Sequence, residues 1–196
     1  MVIGMFEGGF ITSTITVLTK LHAQEDYKQM HYYAHQSLYL NFIISLVIMV
    51  LFMNMGFFFS FLDIAETTKQ IAVSYLFIMG ITFPVVSLLN IFRPIMQTFG
   101  KNKILMIISG DMFFVNIPLN YALIYGFGPI PAMDAFGSAY STAICFVLEV
   151  LGFYLYTKRH DHMDVLNGFV KINWPRIRSI LLLGIPVGLA IVMEVG

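Results

Sequence analysis

The sequence predicts an all-helical bundle that crosses a membrane several times, and three observations lead to this fold class. Hydrophobic residues make up 58% of the 196 residues and charged residues only 11%. A soluble domain carries about a quarter charged residues, so this surface could not face water on all sides. Several apolar runs also reach the roughly 20 residues that a transmembrane helix needs.

Four acidic residues lie inside these apolar runs: Glu7, Asp111, Glu149 and Glu194. Placing a carboxylate in the hydrocarbon core costs about 2.5 kcal/mol or more by insertion scales. An intramembrane acid is therefore a functional candidate by default, and the chain is predicted to handle charge within the membrane.

Five segments qualify as full spans, and a sixth is expected to be a truncated helix. They run approximately over residues 2–19, 36–61, 70–92, 104–126, 135–157 and 180–196. No charged residue occurs between Leu38 and Leu62 or between Gln70 and Phe92. Strands of a membrane barrel would instead give alternating segments of about ten residues, so helices are favoured.

Basic residues predict the orientation of the spans. Ten of the 11 Lys and Arg residues follow the first, third and fifth spans: Lys20, Lys28, Arg93, Lys101, Lys103, Lys158, Arg159, Lys171, Arg176 and Arg178. Only Lys69 falls on the opposite side. The positive-inside rule makes the crowded side cytoplasmic. The first span then runs from outside to inside, and an odd number of spans, most economically one, is expected upstream.

The longest connector, residues 158–179, predicts a boundary between two helical bundles. Residues 1–157 would form the helices of the first bundle, and residues 180–196 the truncated first helix of the second. The connector carries mixed charge and Trp174, the only tryptophan, which is well placed as an interfacial anchor.

Several other functions lack support in the sequence. Without a basic stripe, nucleic acid is not an expected partner. No Ser-His-Asp arrangement, P-loop or dinucleotide fingerprint is present, so neither an enzyme nor a cofactor is predicted. The segment with His160, Asp161, His162 and Asp164 has the residue types of a metal site, but in a solvated loop it is interpreted as merely polar. Cys145 is interpreted as a small core residue.

Two amides, Asn116 and Asn120, lie four residues apart on one helix face beside Pro118. Amide oxygens and a carbonyl loosened by proline suit a small hard cation, but such amides also bridge helices by hydrogen bonds. The residues alone leave both interpretations open.

A polar stripe is predicted on the following helix. Ser138, Thr142 and Glu149 fall within about 40° of one another on a helical wheel, so they should face a neighbouring helix or a cavity. Glu149 is either a proton or cation relay or a satisfied structural acid. Asp111 lies about 140° around the helix from Asn116 and is expected outside that polar pocket. Thr142 and Arg93 are likewise candidates for a relay or for a structural polar role, and structural roles are favoured for Asp111 and Glu7.

Taken in order, four passages resemble the MATE (multidrug and toxin extrusion) family, in its NorM-like bacterial branch. They are His35-Gln36, the run from Asn116 to Gly126 that follows Arg93 by 23 residues, the glycine-rich start of a helix at 136–143, and Leu183-Gly-Ile-Pro-Val-Gly to Glu194. The resemblance covers most of the chain and places it at helices two to seven of twelve.

The resemblance implies two six-helix lobes in a bacterial inner membrane that export bulky organic cations in exchange for Na⁺ or H⁺. It implies that Glu194 couples a cation in the second lobe, with transient Na⁺ possible there, and that Asn116, Asn120 and Ser138 surround a first-lobe site. The family's first-helix Asp is not in this chain. Asn120 stands where other branches carry Asp, and Ala139 replaces a family glycine.

The chain is accordingly interpreted as a fragment of such a transporter whose partners are the bilayer and the remainder of the protein. One alternative is a flippase for lipid-linked oligosaccharides, whose cavity should carry cationic residues to hold a pyrophosphate. The other alternative is a membrane half-protein that does not transport.

Overall fold

The structure is a computed structural model that describes residues 2–61, 65–129, 131–160, 165–166, 168 and 170–195, with backbone alone at 2–7, 191–192 and 194–195. Over these residues the chain forms seven α-helices. Their bounds are α1 Val2–Ala23, α2 Tyr27–Met53, α3 Met55–Phe59, α4 Glu66–Thr98, α5 Asn102–Tyr125, α6 Asp134–Lys158 and α7 Trp174–Val195. The predicted all-helical fold class is confirmed.

Four of these helices, α2, α4, α5 and α6, are long and apolar enough to cross a membrane, judged on the described residues. Large apolar side chains cover much of their outer surface; on α5, Phe113 is 65% and Phe114 is 70% exposed. So much exposed apolar surface suits contact with lipid rather than with water. The chain is a multi-pass membrane protein. Its predicted orientation stays a prediction.

α2 begins nine residues before the predicted span. The Asp26 carboxylate accepts a hydrogen bond from the Gln29 backbone N–H at 3.0 Å, which caps the first turn. Asp26-x-x-Gln29 has the spacing of a capping box, so this start could be read from the sequence. The predicted 36–61 span also ends early: α2 stops at Met53 and the Phe-rich run continues as the short helix α3.

α4 continues past the predicted end of the third span, so Arg93 lies inside the helix instead of at its end. The helix stops where Gly100 adopts a left-handed φ of 67°. There the Gly100 N–H donates to the Gln97 carbonyl at 2.9 Å and the Lys101 N–H to the Met96 carbonyl at 2.8 Å. This paired pattern is a Schellman cap, which favours glycine because no Cβ obstructs the turn.

The helices contribute to two compact units, each with its own packing. The first comprises Met1–Asn41, Asn90–Leu105 and Phe153–Gly196, and the second comprises Phe42–Leu89 and Met106–Gly152. In the first unit α1 packs on α7 so closely that a Cβ on Gly9 would collide with the backbone of Gly188. The predicted bundle boundaries at residues 158 and 180 stay a prediction.

Candidate functional site

Within the second unit, Gly137 of α6 lies directly against the backbone of α5. A Cβ on this residue would lie 2.6 Å from the Leu123 carbonyl oxygen and 2.8 Å from the Ile124 nitrogen, both backbone atoms of α5. Only glycine leaves room for this contact. The Met133 N–H donates to the same Leu123 carbonyl at 2.9 Å, which holds the start of α6 against α5.

Polar side chains join the two helices one turn further along α6. Asn120 Nδ2 donates to Asn116 Oδ1 at 2.6 Å, and Ser141 Oγ donates to Asn120 Oδ1 at 2.7 Å. Asn116 Nδ2 lies 3.6 Å from Cys145 Sγ, a weak acceptor. We call Asn116, Asn120 and Ser141 the amide–hydroxyl chain. It bridges α5 and α6 and holds the oxygens of both amides in fixed positions.

Ser138, predicted to lie at this site, reaches the amide–hydroxyl chain only through its backbone. Its hydroxyl donates to the Ala135 carbonyl of its own helix at 3.0 Å. Its carbonyl accepts a hydrogen bond from Thr142 at 2.9 Å and lies 3.0 Å from Ser141 Oγ, whose one proton is shared between this carbonyl and Asn120 Oδ1. The α6 side chain that binds the amide pair, through Asn120, is therefore Ser141, which lies three residues further along α6.

A cavity of about 210 Å³ lies beside the amide–hydroxyl chain and contains the carboxylate of Glu149. This side chain is only 4% exposed, and its Oε1 accepts a hydrogen bond from Ser109 Oγ at 2.6 Å. Asn116 and Thr142 also line the cavity, with Cys145, Met112, Phe113 and Phe146 as its less polar walls. The structure thus brings Asn116 of the α5 amide pair, and Thr142 and Glu149 of the predicted stripe, to one cavity, which Asn120 and Ser138 do not line.

Oxygen atoms predominate among the polar groups of this cavity: a carboxylate, two hydroxyls and an amide. Such hard ligands suit Na⁺ or a proton rather than a transition metal. Across the part of the chain that the structure describes, no three His, Cys, Asp or Glu side chains are grouped so that they could hold a metal ion.

The remaining predicted residues lie elsewhere or outside the described side chains. Asp111 is exposed on α5 and does not line the cavity, as the helical wheel predicted. Arg93 is half-buried in α4, in the first unit. The side chains of Glu7 and Glu194 are not among those that the structure describes. The same holds for residues 161–164, which belong to the segment considered as a metal site. His160, which is described, stacks on the Tyr156 ring.

Ser141 was missed because the predicted stripe followed Ser138 and Thr142 around the helix. The buried face of α6 instead repeats every four residues through Gly137, Ser141, Cys145 and Glu149. Small or polar residues at that spacing are a signal for close helix contact, and they could have identified Ser141.

A second, largely apolar cavity of about 520 Å³ lies between α4 and α6 in the same unit. Its polar groups are the hydroxyls of Ser74 and Tyr140, and its aromatic rings belong to Phe77, Phe136 and Tyr140. The volume of this cavity falls within the range of small-molecule binding sites. Aromatic rings can bind an organic cation through cation–π contacts with their faces.

Bacterial multidrug resistance proteins match most of this chain. It is 30% identical over 163 residues to the probable multidrug resistance protein NorM of Acinetobacter baylyi, covering 82% of this chain and 36% of that protein. It is 27% identical over 194 residues to the multidrug resistance protein NorM of Vibrio cholerae, covering 97% and 42%. The chain thus spans about two fifths of the length of these relatives.

Solved structures show the same fold. The inward-facing conformation of a multidrug resistance MATE family transporter of the MOP superfamily matches with a TM-score of 0.83 at 20% identity, over 97% of this chain and 43% of that chain. A MATE structure in the bent conformation matches with a TM-score of 0.82 at 21% identity, over 97% and 42%.

The family model named MatE matches residues 1–122, which is more than half of the chain. This match confirms the resemblance that the motifs from His35 onward indicated. The chain therefore belongs to the MatE family.

Proposed function

We propose that this chain is part of a secondary active transporter of the bacterial inner membrane that exports cationic organic molecules in exchange for Na⁺ or H⁺. Its relatives are named as multidrug resistance proteins, and their membership of the same family supports a transporter rather than an enzyme. The proposed activity belongs to the whole protein, since this chain spans about two fifths of its relatives' length.

The observation that carries the proposal is the buried carboxylate of Glu149 in a cavity lined with oxygen ligands. Ser109 holds one carboxylate oxygen at 2.6 Å, and Asn116 and Thr142 line the same space. A carboxylate held away from water is stabilised by a bound cation or by its own protonation. The cavity therefore suits exchange between a coupling ion and an organic cation, because both compete for one negative charge.

The amide–hydroxyl chain would relay occupancy of the cavity to the packing of α5 against α6. Asn116 belongs to both, and a cation that draws its oxygen inward would weaken the 2.6 Å bond from Asn120. A ligand shifts a conformational equilibrium only by the difference of its affinities for the two states. In this mechanism the affinities differ because the side-chain oxygens of α5 and α6 face the bound cation in one state. In the other state the same oxygens accept hydrogen bonds between the two helices.

Two further residues enter the proposal from the family resemblance. Glu194 would couple a cation in the second lobe, with transient Na⁺ there, and Ser138 would contribute to the first-lobe site through the carbonyl that orients Ser141. The cavity of about 520 Å³ near Tyr140 would receive the organic cation on its aromatic rings.

Efflux of a cationic dye from vesicles or cells that contain the full-length gene product tests the proposal, with an imposed Na⁺ or pH gradient as the driving force. Glu149→Gln preserves the shape of the side chain and removes its charge, and we expect gradient-driven efflux to fall at least tenfold. Asp111→Asn is the matched control, because it neutralises an exposed acid of α5 outside the cavity. Glu194→Gln tests the second-lobe site in the same assay.

Undiminished coupled efflux by Glu149→Gln would remove this cavity from the mechanism, and the same result for Glu194→Gln would remove the second-lobe site. Equal losses for Glu149→Gln and Asp111→Asn would show that the protein responds to negative charge in general. Unfolding by SDS, followed by circular dichroism, separates a loss of folding from a loss of transport.

A further inference from the structure

One face of α2 holds the segment between α6 and α7 by hydrogen bonds to its backbone. The described part of that segment, Gly168 and residues 170–173, we call the connector. Four α2 side chains make the contacts, and we call them the clasp: Tyr32, His35, Gln36 and Tyr39. All of these residues belong to the first unit.

Gln36 is the centre of the clasp. It is fully buried, its Nε2 donates to the Lys171 carbonyl at 2.9 Å, and its Oε1 accepts the Asn173 N–H at 2.8 Å. Tyr39 adds a hydrogen bond from its hydroxyl to the Val170 carbonyl at 2.9 Å. These bonds satisfy backbone groups that have no helical partners, so they hold the connector against α2.

His35 makes a different pair of contacts, because both of its ring nitrogens face carbonyl oxygens. Nδ1 lies 2.9 Å from the His31 carbonyl of α2, and Nε2 lies 2.9 Å from the Gly168 carbonyl of the connector. A carbonyl oxygen only accepts, and a neutral imidazole carries one N–H. In either neutral tautomer, one ring lone pair would face an oxygen lone pair. Only the imidazolium donates to both carbonyls.

We propose that His35 docks the connector onto α2 as the imidazolium, and that this docking is therefore sensitive to pH. The protonated ring makes two charge-assisted hydrogen bonds, whereas the neutral ring makes one. Protonation and docking favour each other, so the clasp is stronger at a pH where the ring is protonated than at a pH where it is neutral. This proposal concerns the docking of the connector, and it does not depend on the proposed transport function.

The titratable and charged groups of this region come from α2, the connector and α7. The ring of His31 lies 4.5 Å away and that of Tyr39 6.2 Å away, between centroids. The connector brings Lys171, and α7 brings Arg176, whose guanidinium lies 4.6 Å from the centroid of the Tyr32 ring. The Tyr32 hydroxyl donates to the Lys171 carbonyl at 3.3 Å. The two carbonyl oxygens are the groups that contact the ring nitrogens of His35 directly, and a carbonyl oxygen only accepts.

The first test observes the ring directly in the unmodified chain. Protein labelled with ¹⁵N-histidine in detergent micelles is titrated from pH 5 to pH 8, and the His35 signals are assigned with His35→Gln. We expect both ring nitrogens of His35 to carry hydrogen at pH 5 and only one at pH 8. A single N–H on His35 at pH 5 overturns the proposal.

The second test follows docking through Trp174, the only tryptophan, which begins α7 directly after the connector and is 66% exposed. We expect its fluorescence anisotropy to fall with rising pH, with a docked-to-undocked ratio that changes about tenfold or more. His35→Gln should remove this transition, because an amide can still donate to a carbonyl but does not titrate in this range.

His160→Gln is the matched control. Nδ1 of His160 lies 2.9 Å from the Tyr156 carbonyl, the same local contact that His35 makes within α2, but His160 lies outside the clasp. Its replacement should leave the Trp174 transition intact. Tyr39→Phe should weaken docking at every pH and keep the transition. A transition that persists in His35→Gln, or that disappears in His160→Gln, overturns the assignment to His35.

Discussion

Gly137→Ala should force α5 and α6 apart where Gly137 meets the α5 backbone. The added Cβ would lie 2.6 Å from the Leu123 carbonyl oxygen, whereas ordinary contacts begin at 3.4 Å. The helices must therefore separate locally by about 0.8 Å, because a backbone atom cannot rotate away as a side chain can. The same displacement would lengthen the 2.7 Å bond from Ser141 to Asn120 to about 3.5 Å, beyond useful hydrogen-bond geometry.

The expected cost combines three effects. Overpacking costs about 1–3 kcal/mol, a lost hydrogen bond about 1 kcal/mol, and alanine returns about 0.5–1 kcal/mol of helix stability relative to glycine. We expect the free energy of unfolding to fall by about 1–3 kcal/mol, measured by SDS titration of the detergent-solubilised protein with circular dichroism. The buried Cys145 thiol should also react faster with a maleimide as the contact opens.

Gly110→Ala is the matched control, since Gly110 lies within α5 and a Cβ there meets no atom within 4 Å. The same chemical change should leave the protein unchanged or stabilise it by up to about 1 kcal/mol. If Gly137→Ala proves as stable as Gly110→Ala, the close approach of α5 to α6 is refuted, and with it the geometry of the amide–hydroxyl chain.

Four other substitutions test individual contacts by the same unfolding measurement. Ser141→Ala should lower the free energy of unfolding by about 1 kcal/mol because it removes the interhelical hydrogen bond. Ser138→Ala should lower it less. The reverse order would contradict the assignment of Ser141 as the α6 side chain that binds Asn120. Ser109→Ala removes a donor to a buried carboxylate and should cost about 1.5–3 kcal/mol, and no change would mean that this bond is unimportant. Gly9→Ala should cost about 1–3 kcal/mol by separating α1 from α7; full stability would contradict their close packing.

The sequence predicted most of the helical architecture because apolar length and charge placement are local properties. Its errors concern helix ends. The start of α2 was readable in the Asp26 to Gln29 spacing, and the end of α4 in Gly100, but apolar runs alone placed the boundaries elsewhere. Arg93 was expected to end a span because it is charged, yet its backbone continues the helix. A charge ends an apolar run without ending a helix.

The sequence by itself determined that this protein is a multi-pass helical bundle of the MatE family, with Asn116 and Asn120 on one face of α5. Only the tertiary structure decided that Ser141 binds Asn120 and that Glu149 shares a cavity with Asn116. It alone joined His35 to Gly168, which lies 133 residues away in the chain. Helical spacing fixes the angles between side chains of one helix. The spacing within one helix does not determine which of its faces packs against a neighbour. That depends on close contacts between helix backbones, such as the contact at Gly137.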